Sequence, residues 1–222
     1  MQNKIHIIAT KKLSERQKQQ LLSADFLVFD EDFINIQNKD FEISTINDYL
    51  IFTSQNAVES VLRNKKIAEI KNKKCFCVGE KTKAVLEDNR FEVIEYSEYA
   101  AELASMICNK YSKNSFTFFC GNMRRDFLPD ALRLVQIKLD EVEVYETILT
   151  THKISFIPNG ILFFSPSGVR SYLQENKIEN ENCFCIGNTT AEALKYATPN
   201  IIIANQPTME SVIMKCIENY RQ

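Results

Sequence analysis

Three blocks of this chain occur twice, in the same order and at matched spacing. Ile51-Phe52-Thr53-Ser54-Gln55-Asn56-Ala57-Val58 is answered by Phe163-Phe164-Ser165-Pro166-Ser167-Gly168-Val169. Cys75-Phe76-Cys77-Val78-Gly79-Glu80-Lys81-Thr82, with Leu86 beyond, is answered by Cys183-Phe184-Cys185-Ile186-Gly187-Asn188-Thr189-Thr190, with Leu194 beyond. Ala101-Glu102-Leu103 is answered by Met209-Glu210-Ser211, and each glutamate lies 23 residues past the glycine of its copy. A period this long describes duplicated domains, not a solenoid of short units. The 222 residues suffice for two small domains, and a cleft between similar halves is where a small ligand is expected.

Short apolar runs alternate with helical patterns, as α/β units on a parallel sheet require. Strands are predicted at 4–9, 26–29, 49–54, 75–79, 91–95, 116–121, 160–165, 183–187 and 200–204. Helices are predicted at 13–23, 56–63, 81–88, 100–111, 125–135, 169–176, 189–196 and 208–219; in the last, Val212, Ile213, Cys216, Ile217 and Tyr220 form one apolar stripe. The stretch 142–148 breaks this rhythm. It alternates, with Val142, Val144 and Ile148 on one face and Glu143, Tyr145 and Thr147 on the other, which fits a half-exposed strand. The segment 32–37 stands in the same relation to the first repeat copy. The two are expected to be antiparallel linker strands. The expected architecture is therefore two α/β domains with parallel sheets, Rossmann-like or flavodoxin-like, joined by a two-stranded antiparallel linker. One domain is discontinuous, 1–33 with 149–222. The other, 37–141, is inserted, with linkers at about 34–36 and 142–148.

Hydrophobic content of 45% and charge of 25% describe an ordinary globular protein. The N-terminus lacks the pattern of a signal peptide, and no apolar run approaches the roughly 20 residues of a membrane span. A cytoplasmic location without membrane contact is expected. Seven cysteines then read as reduced thiols. A formal charge of −2 removes the global case for nucleic acid. A local basic cleft stays open, because Lys11, Lys12, Lys81, Lys83, Arg124 and Arg125 all lie near predicted strand ends.

Ligands of open α/β sheets bind beyond the carboxyl ends of the strands. The chain has only five glycines: Gly79, Gly121 and Gly187 end predicted strands and Gly168 stands where a helix begins. Around them gather Thr53, Ser54, Asn56, Thr82, Asn122, Ser165, Ser167, Asn188, Thr189 and Thr190. Small hydroxyl and amide side chains beside helix N-termini form anion sites with the free backbone N–H groups. Asn56, Ser167 and Asn188 can equally be plain N-caps. Neither a dinucleotide fingerprint nor a P-loop is present. Cys75, Cys77, Cys183 and Cys185 form two C-x-C pairs, but each pair sits in a strand among Phe and β-branched residues and reads as core, not as a zinc site. His6 and His152 lack nucleophile partners and read as structural. Cys120 is the one cysteine placed for reactivity, with no base beside it. Tyr145, on the polar face of the second linker, can donate a hydrogen bond or a proton, or can simply brace the linker pair.

In this order the motifs resemble those of the uroporphyrinogen-III synthase family. The likeness rests on Phe52-Thr53-Ser54 with Asn56-Ala57-Val58, on Phe163-Phe164-Ser165-Pro166-Ser167-Gly168-Val169, and on the twin Gly-x-x-Thr helix starts. It also rests on Cys120-Gly121-Asn122 with Leu128 beyond, and on Val144-Tyr145-Glu146-Thr147, and it runs from about residue 49 to 217. The resemblance implies cyclising dehydration of hydroxymethylbilane with its last pyrrole ring inverted, with no cofactor or metal. It implies that Tyr145 assists departure of the hydroxyl. It further implies that Thr53, Ser54, Thr82, Ser165, Ser167, Thr189 and Thr190 meet the substrate's carboxylates, with Gly79, Gly121, Asn122, Pro166 and Gly187 lining the same edge. The partner implied is a linear tetrapyrrole, and the working unit a monomer. The N-terminus departs from the pattern: Ala9-Thr10-Lys11-Lys12 stands where many relatives carry Arg, so Lys11 is the candidate substitute. The first helix also ends at Leu22-Ser23-Ala24-Asp25 without the usual Gly. The main alternative is a non-enzymatic two-domain module binding an anionic small molecule. A nucleotide-sugar transferase fits less well, because each half is small and lacks a Gly-rich phosphate loop.

Overall fold

The computed structural model describes residues 4–43 and 45–221. Along the chain come β1 (Ile5–Ala9), α1 (Glu15–Leu22), β2 (Phe26–Asp30) and β3 (Ile34–Asn38). Next are β4 (Tyr49–Phe52), α2 (Gln55–Leu62), α3 (Ile67–Lys71), β5 (Lys74–Val78), α4 (Glu80–Asp88), β6 (Val93–Ser97) and α5 (Ala100–Lys110). β7 (Phe116–Gly121), α6 (Phe127–Leu134) and β8 (Leu139–Leu149) follow. The chain closes with β9 (Gly160–Phe163), α7 (Pro166–Glu175), β10 (Asn182–Cys185), α8 (Asn188–Leu194), β11 (Ile201–Ile203) and α9 (Met209–Arg221). The short α3 is absent from the sequence expectation.

Two compact units result. One comprises Met1–Asn35 with Ile148–Gln222, the other Ile36–Thr147. The first has the strand order β11-β10-β9-β1-β2, the second β3-β8-β7-β4-β5-β6. All pairings within the set β1, β2, β9, β10, β11 are parallel, as are those within β4 to β8. β4-β5-β6 and β9-β10-β11 are the repeated copies. β7 and β8 extend the first copy's sheet, and β1 and β2 occupy the same places beside β9. The two units therefore share one topology in circularly permuted order, which explains why the repeat is legible only from residue 49 onward.

Both faces of each sheet are buried, and strand alternation assigns each residue to a face. In the inserted unit Leu50, Phe52, Cys75, Cys77 and Phe119 pack with Ala57, Val58, Val61 and Leu86 of α2 and α4. Ile51, Phe76, Phe116 and Phe118 face the other way, onto Leu103, Ile107, Leu128 and Leu132 of α5 and α6. The other unit repeats this, with Ile7, Leu162 and Phe184 against α1 and α9, and Ile8, Phe163, Cys183 and Cys185 against α7 and α8. Each fully buried Leu, Ile or Phe contributes roughly 1.5–3 kcal/mol. These continuous apolar strands need helices on both sides.

The segment 142–148 proves to be the far half of an eleven-residue strand. β8 runs parallel to β7, pairing Phe116 with Leu139 and Gly121 with Tyr145. Its other neighbour is β3. Thr150 N–H donates to the Phe33 carbonyl at 2.9 Å and Lys39 N–H to the Val144 carbonyl at 3.0 Å. Advancing along β3 thus means retreating along β8, the mark of antiparallel pairing. Among the described residues no helix is long and apolar enough to cross a membrane.

Helix ends that lack glycine still take the left-handed conformation. Arg90 (φ 64) and Gln136 (φ 59) close α4 and α6. Arg90 N–H donates to Glu87 and Phe91 N–H to Leu86; Gln136 N–H donates to Arg133 and Ile137 N–H to Leu132. These are paired Schellman closures. Asp25, at φ 64, plays a similar part after α1.

Candidate active site

A strand order that winds outward in both directions has a switch point, and the crevice beyond it is where open α/β sheets take ligands. In the inserted unit the chain winds from β4 to β5 and β6, then returns to β7 and β8, so the switch lies between β4 and β7. Thr53 and Ser54 follow β4, and Gly121 and Asn122 end and follow β7. In the discontinuous unit the switch lies between β9 and β1, with Ser165 just past β9 and Thr10 just past β1. Gly79 and Gly187 follow β5 and β10, one strand further out.

Tyr145 stands over the first of these switch points, and the reason is a register shift. Cys120 pairs with Glu143 but Gly121 pairs with Tyr145, so β8 carries one extra residue opposite β7. Such a bulge turns two successive side chains to one face. Simple alternation assigns Tyr145 to the face opposite Val144. The structure instead packs Val142, Val144 and Tyr145 against the same cluster, with Leu50, Phe52 and Phe119. Gly121 makes room, since a Cβ there would lie 2.5 Å from two ring carbons of Tyr145. The phenol lies over Gly121 at the end of β7. Burial pushes its pKa up from the ordinary value. Hydrogen bonding to Ser54 works against that rise, the neighbouring Cys120 adds to it, and hydrogen bonding to Asn56 again opposes it.

The other residues named from sequence fall into distinct roles. Ser54 caps α2, its Oγ accepting from Asn56 N–H at 3.2 Å. Ser165 caps α7, its Oγ accepting from Gly168 N–H at 3.0 Å and lying 3.0 Å from Ser167 Oγ. Pro166 takes the first helical position of α7, where its missing N–H costs nothing. The caps are thus Ser54, Ser165 and Gly187, not Asn56, Ser167 and Asn188. Asn122 braces β8: its Oδ1 accepts from Thr147 N–H at 2.8 Å and its Nδ2 donates to the Thr147 carbonyl at 3.3 Å.

Gly79 adopts φ 85, a conformation L side chains rarely take, whereas Gly187 is extended with open space at its Cβ position. Thr82 and Thr190 are only 5% and 1% exposed and offer a ligand almost no surface. The Thr190 hydroxyl is buried without a hydrogen-bond partner among the described residues. Thr189, its neighbour, stands in the first turn of α8. Thr10, not among the residues expected at the site, is 3% exposed and donates through Oγ1 to the Leu162 carbonyl at 2.9 Å, tying β1 to β9. Its only sequence signal is a hydroxyl directly after a strand.

The family model described as uroporphyrinogen-III synthase HemD matches residues 20–214. The chain belongs to the uroporphyrinogen-III synthase family. A curated relative, the porphyrin biosynthesis protein HemD of Ruminiclostridium josui, is 26% identical over 193 residues. That alignment takes in 77% of this chain but only 38% of the relative, so the chain spans about two fifths of that protein's length. The crystal structure of uroporphyrinogen-III synthetase from Helicobacter pylori shares the fold, with TM-score 0.71 and 21% identity over 97% of this chain and 99% of that one. A mutant uroporphyrinogen III synthase from Thermus thermophilus gives TM-score 0.71 at 9% identity, over 98% and 99%.

For this member of the uroporphyrinogen-III synthase family, several cations noted from sequence already have acidic partners. Arg124 pairs with Glu141 at 2.5 Å and with Asp126, and Arg133 reaches the same Glu141. Lys12 lies 3.3 Å from Glu31 and Lys83 3.8 Å from Glu87, with Lys83 also 4.9 Å from the Tyr96 ring centroid. Lys11 is exposed. Cys120, placed for reactivity at a strand end but without a base, is buried, and burial pushes its thiol up to about 11. A neutral thiol is a poor nucleophile, which speaks against a reactive role. Cys75 and Cys77 face one core and Cys183 and Cys185 another. His6 sets its ring edge-on to Phe156 at 5.5 Å, and His152 Nε2 meets the Asp32 carbonyl at 3.1 Å. Among the described residues no group of three or more His, Cys, Asp or Glu is placed to hold a metal ion.

Proposed function

We propose that the chain is a uroporphyrinogen-III synthase, closing hydroxymethylbilane to uroporphyrinogen III with loss of water and inversion of the last pyrrole ring. The observation that carries this is the family match over residues 20–214. The linear tetrapyrrole is the partner, the working unit a cytoplasmic monomer, and the reaction runs without added metal or nucleotide. Its carboxylates engage the strand-end turns at Thr53, Ser54, Gly79, Gly121, Ser165, Pro166, Ser167, Gly187 and Thr189, several of them at helix N-termini, whose dipoles favour anions. Thr82, Asn122 and Thr190 shape those turns. Tyr145 donates its phenolic proton to the departing hydroxyl, which leaves as water. The cation so formed on the substrate is stabilised by the substrate's own carboxylates and by oriented backbone dipoles. Holding the bilane so that the substituted carbon of its last ring attacks is an orientation effect, worth several kcal/mol on its own. A shaped hydrogen-bonding surface serves this chemistry better than a strong nucleophile.

The deciding experiment feeds enzymatically generated hydroxymethylbilane to the purified chain, then oxidises and separates the uroporphyrin isomers. Predominant type III is expected. A mixture matching spontaneous type I closure, with folded protein present, overturns the assignment, and tight binding of unchanged bilane points to a binding module.

A further inference from the structure

We propose that Asn122 is a positioning residue for Tyr145: just past the end of β7 its carboxamide clamps β8 at Thr147 and so locks the register that brings the phenol to its working place. This rests on Tyr145 being the proton donor in the reading above. Hydrogen bonds from this one residue make the clamp. Asn122 N–H donates to the Tyr145 carbonyl at 3.3 Å. Its Oδ1 accepts from Thr147 N–H at 2.8 Å, and its Nδ2 donates to the Thr147 carbonyl at 3.3 Å. β8 is thus held at Tyr145 itself and again at Thr147.

The path of the chain explains why a side chain does this. β7 ends at Gly121, and Arg124 N–H closes a turn onto the Gly121 carbonyl at 3.1 Å. In a parallel ladder, a residue that donates to one carbonyl of its neighbour accepts from the N–H two residues further along. Asn122 makes the first of these bonds with its backbone and the second with its carboxamide oxygen. A carboxamide carries the same donor and acceptor types as a peptide group. The ladder therefore gains one more rung after the backbone has turned away.

That rung lies directly beyond the register shift. Cys120 pairs with Glu143 but Gly121 with Tyr145. An unshifted register would set Val144 opposite Gly121, and a slip of one residue turns each following side chain to the other face. Asn122 bonds Tyr145 and Thr147, not the Val144 and Glu146 that the unshifted register would present. Along its other edge β8 is held at the Val144 carbonyl by Lys39 N–H, at 3.0 Å. Thr147 is also the last residue of the inserted unit, so the clamp sits where the chain leaves it. Asn122 itself is exposed. Water would serve Thr147 in its place, so the clamp contributes geometry more than stability.

The test compares the parent with Asn122→Ala, Asn122→Asp, Tyr145→Phe and the double variant Asn122→Ala/Tyr145→Phe. Turnover of hydroxymethylbilane gives kcat and KM. Carbon NMR of ring-labelled tyrosine, with the Tyr145 signal assigned by its loss in Tyr145→Phe, reports the surroundings of this ring, and thermal melts report folding. Asn122→Ala should lower kcat about tenfold to a hundredfold, as a small misplacement of a reacting group does. KM and melting temperature should change little, and the Tyr145 signal should shift. Asn122→Asp keeps nearly the same shape and the acceptor for Thr147 N–H, and loses only the donor. It should lose less than Asn122→Ala, and it decides the matter even if the alanine variant is unstable. The double variant should be no slower than Tyr145→Phe alone. Parental kcat in both Asn122 variants with an unmoved Tyr145 signal overturns the proposal and leaves the tyrosine's own role standing. A loss carried by KM, or repeated on top of Tyr145→Phe, also overturns it, because it marks a direct substrate contact. Full turnover in Tyr145→Phe overturns the reading beneath it.

Discussion

Gly121 and Tyr145 are paired residues on neighbouring parallel strands, and the aromatic ring of one lies over the bare Cα of the other. A Cβ on Gly121 would stand 2.5 Å from two ring carbons and 2.9 Å from the phenol oxygen. Real contacts of that kind never approach so closely, so one partner must move. Gly121→Ala is expected to cost about 1–3 kcal/mol of stability, as overpacking does, and to cut turnover by displacing the phenol. Thermal melts and isomer assays read both effects. In a Tyr145→Ala background the same change should cost far less, because the clash is gone; an equal cost there would place the fault elsewhere in the backbone.

Removing only the phenol oxygen separates chemistry from packing. Tyr145→Phe should lower turnover about 100-fold or more through loss of a general acid, mostly in kcat, while the isomer ratio stays with type III. From sequence, no stability cost is expected. The ring keeps its place over Gly121, so the midpoint of a denaturant titration should stay close to the parent's.

Arg90 and Gln136 hold left-handed backbone at the ends of α4 and α6 without being glycine. That conformation costs an L side chain roughly 1 kcal/mol. Arg90→Gly and Gln136→Gly should each stabilise the protein by about 0.5–1 kcal/mol, with the added flexibility of glycine in the unfolded chain taking back part of the gain. Additive increases in melting temperature are expected, because the two sites serve separate helix ends. A decrease in either variant would mean that the side chain itself contributes contacts that matter.

The buried thiols predict loss of stability at high pH. Burial raises Cys77, Cys183 and Cys185 to about 12, and it raises Cys75 and Cys216 as well. In the unfolded chain a thiol ionises near about 8.5. Stability from keeping these groups neutral is therefore complete below that pH and lost as pH rises toward 12. Melting temperatures measured from pH 7 to about 10 should fall over the upper part of the range, and Cys77→Ala should flatten the fall. Cys108, the one cysteine that is only partly buried, should react first with a thiol reagent, and the others only on unfolding.

Much of this arrangement can be read directly from residue order. Cys75-Phe76-Cys77 and Cys183-Phe184-Cys185 place sulfur on one face and an aromatic ring on the other, and each face finds its own core. Ser54 and Ser165 were recognisable as strand-end hydroxyls, although their capping role was assigned to residues two positions further on. A helix start is fixed by which N–H groups lack partners, and that depends on where the preceding strand stops pairing. The five-residue α3 is too short to display a helical period. Thr10 carries only the weak signal of a hydroxyl directly after a strand.

The sequence by itself determined the duplication, the parallel α/β class and the strand ends where small hydroxyl residues gather, because each follows from local periodicity and from the order of motifs. Only the tertiary structure decided what Tyr145 faces. Counting along 142–148 puts it opposite Val144, yet one unpaired residue in β8 reverses that assignment. Register between strands is set by non-local packing, here by the ring of Tyr145 over a glycine on β7. A period-two pattern has no means of recording an insertion in its partner's alignment.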